Sequence, residues 1–338
     1  MSIRLIIGLV RDVLYFYDKK HNLLNRGEIM RPSLKKSKLS RLDQPVIEKS
    51  INGHKTYLIY IETIDGLYTP IGLQLPNGDG PFPVVLLASG NGGEGMKWIE
   101  EYSKNRRYTI DRFLEQGYAC GWIRYRTEVE LGYNNGGKLI HDKRQGREMF
   151  NRSPLEYEDE ISIIEAIKQY DEIDAERVGL LGMSHAGEMI LKLASEYHGV
   201  CAAVASEPAS HEFLALNPDD SVTINPTTQL RDIESMQMQS TQKVRSRIDM
   251  KLAIDRIKPI TTPLFIMGRD QDELQGIFRL SYELLEEQKK NVIWKSYNHN
   301  LHGYVYPLLG EDGDYIVNDV QKEAISDVLA FFKEHFGK

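Results

Sequence analysis

Gly182-Met183-Ser184-His185-Ala186-Gly187 sets a serine among small residues. The apolar run Val178 to Leu181 precedes it, and Glu188 to Ala194 after it repeats apolar residues at helical spacing. Strand, tight turn and helix with a serine at the apex is the layout of a nucleophile elbow. Such a turn strains the serine backbone and brings strand and helix close together. The residues two before and two after the serine must therefore be small, and Gly182 and Ala186 satisfy that. A turn in which the serine only caps the helix would use similar residues, so the remainder of the chain has to supply the chemistry.

A serine hydroxyl needs a base beside it. Histidine suits the role because its pKa lies near neutral pH, and a carboxylate then fixes its tautomer. Both follow in the chain, each after an apolar strand-like run. Leu264 to Met267 ends at Gly268-Arg269-Asp270-Gln271-Asp272, and the last strand-like run leads to His299-Asn300-Leu301-His302-Gly303-Tyr304. His302 is preferred as base because Gly303 lets the loop fold back toward the serine, with His299 in reserve. Asp272 is preferred as acid over Asp270. Either aspartate could instead cap the helix that follows. Glu207, after the run ending at Ala205, is a third candidate acid, read in preference as a wall of the substrate pocket or a buried hydrogen-bonding group.

The oxyanion formed in acyl transfer needs backbone N–H donors. His185, just after the serine, and Asn91, in the loop Ser89-Gly90-Asn91-Gly92-Gly93-Glu94-Gly95, are the candidates. Gly92, Glu207 and Tyr125 are placed in contact with substrate. The glycine-rich loop lacks the Gly-Lys-Ser/Thr of a phosphate-binding loop, and no Gly-x-Gly-x-x-Gly follows the first strand, which argues against a nucleotide.

These residues need a scaffold. Thr56 to Thr63 and Leu67 to Leu75 alternate as two strands around Asp65-Gly66. Pro83 to Ala88 is a continuous apolar run, the pattern of a strand buried on both faces. Met96 to Gln116 reads as a helix ending at Gly117, and Tyr118 to Tyr125 as a strand. Ser153-Pro154-Leu155-Glu156 opens another helix, and Val200 to Ala205 follows as a strand. Residues 208 to 258 interrupt the rhythm with a largely helical insertion, expected as a cap over the sheet. Leu274 to Gln288, Val292 to Tyr297 and Val317 to Phe336 complete a helix, a strand and a helix. Such alternation predicts an α/β fold, a mostly parallel sheet with helices on both faces, whose ligands bind at the carboxyl ends of the strands. Residues 1–54 show no clear pattern and are read as an extension preceding one catalytic domain, 55–338.

From about Lys55 onward the chain resembles the α/β-hydrolase superfamily, nearest its dienelactone-hydrolase and prolyl-oligopeptidase-like branch. The likeness rests on Pro81-Phe82-Pro83-Val84-Val85-Leu86-Leu87, on Ile173 to Gly179 before the serine motif, on Pro263 to Gly268, and on His302-Gly303-Tyr304. Two departures stand out. Ser89-Gly90 replaces the usual His-Gly before the oxyanion loop. One extra residue separates Gly268 from Asp272, which keeps Asp270 in play. The resemblance implies a serine hydrolase with a covalent acyl-enzyme. About 55 leading residues are too few for the propeller that oligopeptidases of this branch carry, which favours an esterase over a peptidase or thioesterase. The alternative of another class is a binding protein built on a hydrolase scaffold.

The net charge is -7 with no basic block, so nucleic acid is not an expected partner. A small-molecule ester is expected, with no cofactor and no metal. Leu5 to Val10 is too short to span a bilayer and lacks a convincing signal-peptide cleavage site, so a cytoplasmic location is expected. Cys120 and Cys201, the two cysteines, are read as buried thiols.

Overall fold

The computed structural model describes residues 46–51, 54–64, 68–88, 104, 106–123, 155–217 and 238–337. All of these belong to one compact unit, Pro32–Lys338. Within them, nine strands form one sheet: β1 (Val46–Ile51), β2 (His54–Glu62), β3 (Tyr68–Gln74), β4 (Phe82–Ala88), β5 (Ala119–Trp122), β6 (Ile173–Met183), β7 (Ala202–Ser206), β8 (Leu264–Arg269) and β9 (Val292–Tyr297), in the order β1-β2-β3-β5-β4-β6-β7-β8-β9. The pairs β1/β2, β2/β3 and β3/β5 are antiparallel. From β5 through β4 to β9 every pair is parallel.

Seven helices are described: α1 (Arg107–Glu115), α2 (Leu155–Ile167), α3 (His185–Glu196), α4 (Thr241–Arg245), α5 (Met250–Ile257), α6 (Gln275–Glu287) and α7 (Asp319–Phe336). The apolar runs of the parallel strands divide their side chains between two cores. In β4, Val84, Leu86 and Ala88 face one core while Val85 and Leu87 face the other. In β8, Leu264 and Ile266 oppose Phe265 and Met267 in the same way. This is the period-two geometry of a strand covered on both sides. Ile163, Ile164 and Ile167 of α2, Met189, Ile190 and Leu193 of α3, and Ile277 and Leu284 of α6 cover the first face. Ile110 and Phe113 of α1, with Val328, Phe331 and Phe332 of α7, cover the second.

From β4 the chain moves through α1 to β5 on one side, then returns through α2 to β6 on the other. The direction of winding therefore reverses between β4 and β6. A crevice opens at such a switch point, at the carboxyl ends of the strands.

Several expectations meet corrections here. β1 pairs antiparallel with β2, inside the stretch that carried no readable pattern. A small hairpin, β10 (Leu308–Leu309) and β11 (Tyr315–Ile316), also went unforeseen. The described part of the insertion contributes α4 and α5. Both pack on α6, and α5 also packs on α3; Val244, Ala253 and Ile257 join the first core. Of the two thiols, Cys120 is buried but Cys201 is half-buried, because it lies just ahead of β7 rather than inside it. No helix of the described residues is long and apolar enough to cross a membrane.

Candidate active site

β6 delivers the chain to Ser184, and α3 begins at the next residue. Ser184 adopts φ 57° and ψ -118°, a conformation L-residues rarely hold, costing on the order of 1–3 kcal/mol. Its neighbours compensate. Its N–H donates to the Ser206 carbonyl at 2.9 Å, and its own carbonyl accepts from Ala209 N at 3.0 Å and Glu188 N at 3.2 Å. A Cβ added to Gly182 would lie 2.7 Å from the carbonyl carbon and oxygen of Ala186, the close passage of strand and helix anticipated from the motif. His185 opens α3, and the first N–H groups of a helix find no partner within it. Its buried imidazole lies with Nε2 3.3 Å from Glu156 Oε2 on α2.

The second half of the site comes from the loops after β7, β8 and β9. Asp272 Oδ2 lies 3.1 Å from His302 Nδ1, and its Oδ1 accepts from Leu274 N at 2.8 Å. Burial works against the Asp272 charge, yet the histidine, the Leu274 N–H and Arg269 hold its carboxyl below the usual range. Asp270 is exposed and accepts from Ser296 Oγ, on the outside of the turn. His299 is built into its own loop: its Nδ1 accepts from Leu301 N at 2.9 Å, and its Nε2 lies 2.8 Å from Asn318 Nδ2. Gly303, after the histidine, has φ +80°, and a Cβ there would lie 2.4 Å from Met183 Cε. The histidine loop thus folds back onto the residue preceding the serine. His302 turns Nδ1 toward a carboxylate.

Two more residues complete this half of the site. Glu207 is wholly buried and hydrogen-bonded, one of the parts expected of it, and it faces the histidine: Oε1 lies 3.3 Å from His302 Nδ1, and Oε2 accepts from Gly303 N at 2.7 Å. Arg269 had no role assigned. Its Nε donates to Asp272 Oδ2 at 2.9 Å and lies 3.4 Å from Glu207 Oε1, while Nη1 donates to the Asn300 carbonyl at 3.1 Å. A long cation one residue inside a turn that already held two candidate acids was the available signal. Burial pulls the His302 pKa down, but the Asp272 and Glu207 carboxylates outweigh it and push it up to about 9. Ligand atoms of Glu207, Asp272 and His302 lie within 4.8 Å of one another. The Arg269 guanidinium already offsets one of the two negative charges and would repel a metal ion. Asn91, Gly92 and Tyr125 lie outside the described residues.

No family model matches the chain, and no curated protein matches it by sequence. Solved structures do. A Pyrobaculum calidifontis esterase superposes with a TM-score of 0.54 at 16% identity, over 83% of this chain and 86% of that one. A Klebsiella pneumoniae protein assigned as a dienelactone hydrolase gives 0.54 at 15%, over 82% and 98%. Porphyromonas gingivalis dipeptidyl peptidase 4 gives 0.55 at 16%, over 83% of this chain but only 36% of the peptidase. The chain therefore spans about a third of that peptidase's length.

Proposed function

Taking as premise that the chain has the α/β-hydrolase fold, we propose that it is a serine hydrolase cleaving carboxylic esters through a covalent acyl-enzyme. Ser184 Oγ attacks the ester carbonyl carbon, and its proton passes to His302 Nε2. The backbone N–H groups of His185 and Asn91 receive the oxyanion, each worth on the order of 3 kcal/mol in the transition state. As the tetrahedral intermediate collapses, the C–O bond to the alcohol breaks and the leaving oxygen takes the proton from His302. Water then repeats the sequence on the acyl-serine, releasing the carboxylic acid. Asp272 holds the tautomer that leaves Nε2 free to accept.

One observation carries this reading. A strained serine ends a central parallel strand at the topological switch point, and the Asp272–His302 pair stands on the loops of the strands beyond it. The Pyrobaculum calidifontis esterase, matched over 86% of its own length, supports the ester reading.

The test is a panel of p-nitrophenyl esters, acyl thioesters and aminoacyl p-nitroanilides, given to the wild type and to Ser184→Ala. Esters should turn over fastest, and the variant should lose about 10⁴-fold or more in kcat/KM while keeping its fold. Wild-type rates in Ser184→Ala would overturn the mechanism. A clear preference for the anilides would move the reading to a peptidase.

A further inference from the structure

We propose that Glu207 is a second acid for the catalytic histidine: a positioning residue that shares the His302 Nδ1 proton with Asp272, the two carboxylates being bridged by Arg269. This rests on the reading of His302 as the base.

The two oxygens of Glu207 do different things. Oε2 has backbone and hydroxyl partners, Gly303 N at 2.7 Å and Ser206 Oγ at 3.4 Å. Oε1 is buried and, among the described residues, makes no hydrogen bond of good geometry. It faces His302 Nδ1 at 3.3 Å and Arg269 Nε at 3.4 Å. A neutral imidazole that accepts the serine proton at Nε2 carries one proton, on Nδ1. That proton has two carboxylate acceptors in reach, Asp272 Oδ2 at 3.1 Å and Glu207 Oε1 at 3.3 Å. A small rotation of the ring exchanges one for the other.

An anchor for the histidine loop would need only Oε2. It would not explain why the second, fully buried oxygen is aimed at the imidazole, nor why a non-glycine residue holds φ 49° to aim it. Backbone strain of this kind persists where the surroundings over-determine a residue and clusters at functional sites. The charges also balance. Two carboxylates and one guanidinium leave one net negative charge facing the ring. The imidazolium formed in the transition state neutralises it.

A triad with one acid loses about 10⁴-fold when that acid becomes its amide. With two acids, Asp272→Asn and Glu207→Gln should each lose much less, roughly tenfold. The double variant should fall to the full 10⁴-fold, a non-additive pattern expected of groups that share a partner. Glutamine still accepts the Gly303 N–H, so Glu207→Gln keeps the anchor and removes only the charge. The deciding readout is the His302 titration followed by NMR, which needs no substrate. Its midpoint should fall by about one pH unit or more in Glu207→Gln, and further in the double variant. An unchanged midpoint in folded Glu207→Gln would overturn the proposal and leave the hydrolase reading standing. Absence of Ser184-dependent turnover would sink that reading while the titration still reported on Glu207. If Glu207→Gln does not fold, Asp272→Asn alone decides. A midpoint that stays above about 6.5, the ordinary histidine value, supports a second acid, and a fall to or below it refutes one.

Discussion

Strands β6 and β7 lie side by side, and each is followed by a residue with positive φ, Ser184 at 57° and Glu207 at 49°. The same backbone device serves both, but the sequence announces only one. At Ser184 the strain requires small residues two positions away on each side, and Gly182 and Ala186 meet that need within six residues of chain. At Glu207 no glycine marks the turn. Pro208 follows it, and the residue before a proline favours extended backbone, so the local signal points away from what forms. The tertiary contacts prevail: Glu207 N donates to the Met267 carbonyl at 2.8 Å, and its carboxylate is held by Gly303 N from 96 residues away. The segment Ser206 to Ala209 therefore touches both halves of the site. Ser206 and Ala209 pin the serine backbone, and Glu207 pins the histidine loop.

The largest loss is expected at Gly182. Gly182→Val would drive a side chain into the Ala186 backbone, where no flexible group can give way. It should cost about 1–3 kcal/mol in a denaturant titration. Displacing the serine by about 1 Å should also lower kcat/KM about 100-fold. Retention of both stability and rate would mean that the elbow does not depend on the close passage.

The second half is sharpened by pH. With the His302 pKa raised to about 9, the free enzyme is protonated at neutral pH and cannot take the serine proton. kcat/KM should therefore climb about tenfold per pH unit toward a plateau near pH 9. Stability should move the other way. The folded pKa lies above the ordinary value of about 6.5, so the stabilisation from His302 is complete below about pH 6.5 and is lost as pH rises through about 9. Asp272, held below the usual range, contributes above about pH 3.9 and loses its share as pH falls further. Thermal melts between pH 6 and 10 that show no decline, together with a rate limb near pH 6.5, would contradict the two-carboxylate environment.

The smallest effect is expected at Asp270, whose side chain accepts from Ser296 while that of Asp272 faces His302. Asp270→Asn removes a charge from an exposed residue whose described side-chain partner is Ser296. It should leave kcat/KM within about twofold and stability within about 0.5 kcal/mol. A loss approaching that of Asp272→Asn would return Asp270 to the site.

What could be read from sequence follows the range of the interactions. The strand–serine–helix unit and the two-faced burial of β4 rest on signals within a few residues, and the structure has both in place. The preference for His302 over His299 rests on Gly303 beside it, and His302 is the histidine that faces Asp272. β1 is an end strand of the sheet, paired on one side only, and β10 and β11 have two residues each, so neither feature leaves much pattern in the sequence. Glu207 was legible as a third candidate acid or a buried hydrogen-bonding group and Arg269 only as a residue type, and the contacts of both arise only when the ends of β7, β8 and β9 converge. A cation beside two carboxylates in a turn carries no local sign of which one it will bridge.

Fluorophosphonate labelling of the purified protein, with the modified peptide located by mass spectrometry, tests the central claim most directly. The account predicts one phosphonyl group on Ser184, absent from Ser184→Ala and from wild type pretreated with an ester-derived inhibitor. No label under conditions that modify a control hydrolase, or a label on another residue, would contradict it and favour a binding protein on this scaffold.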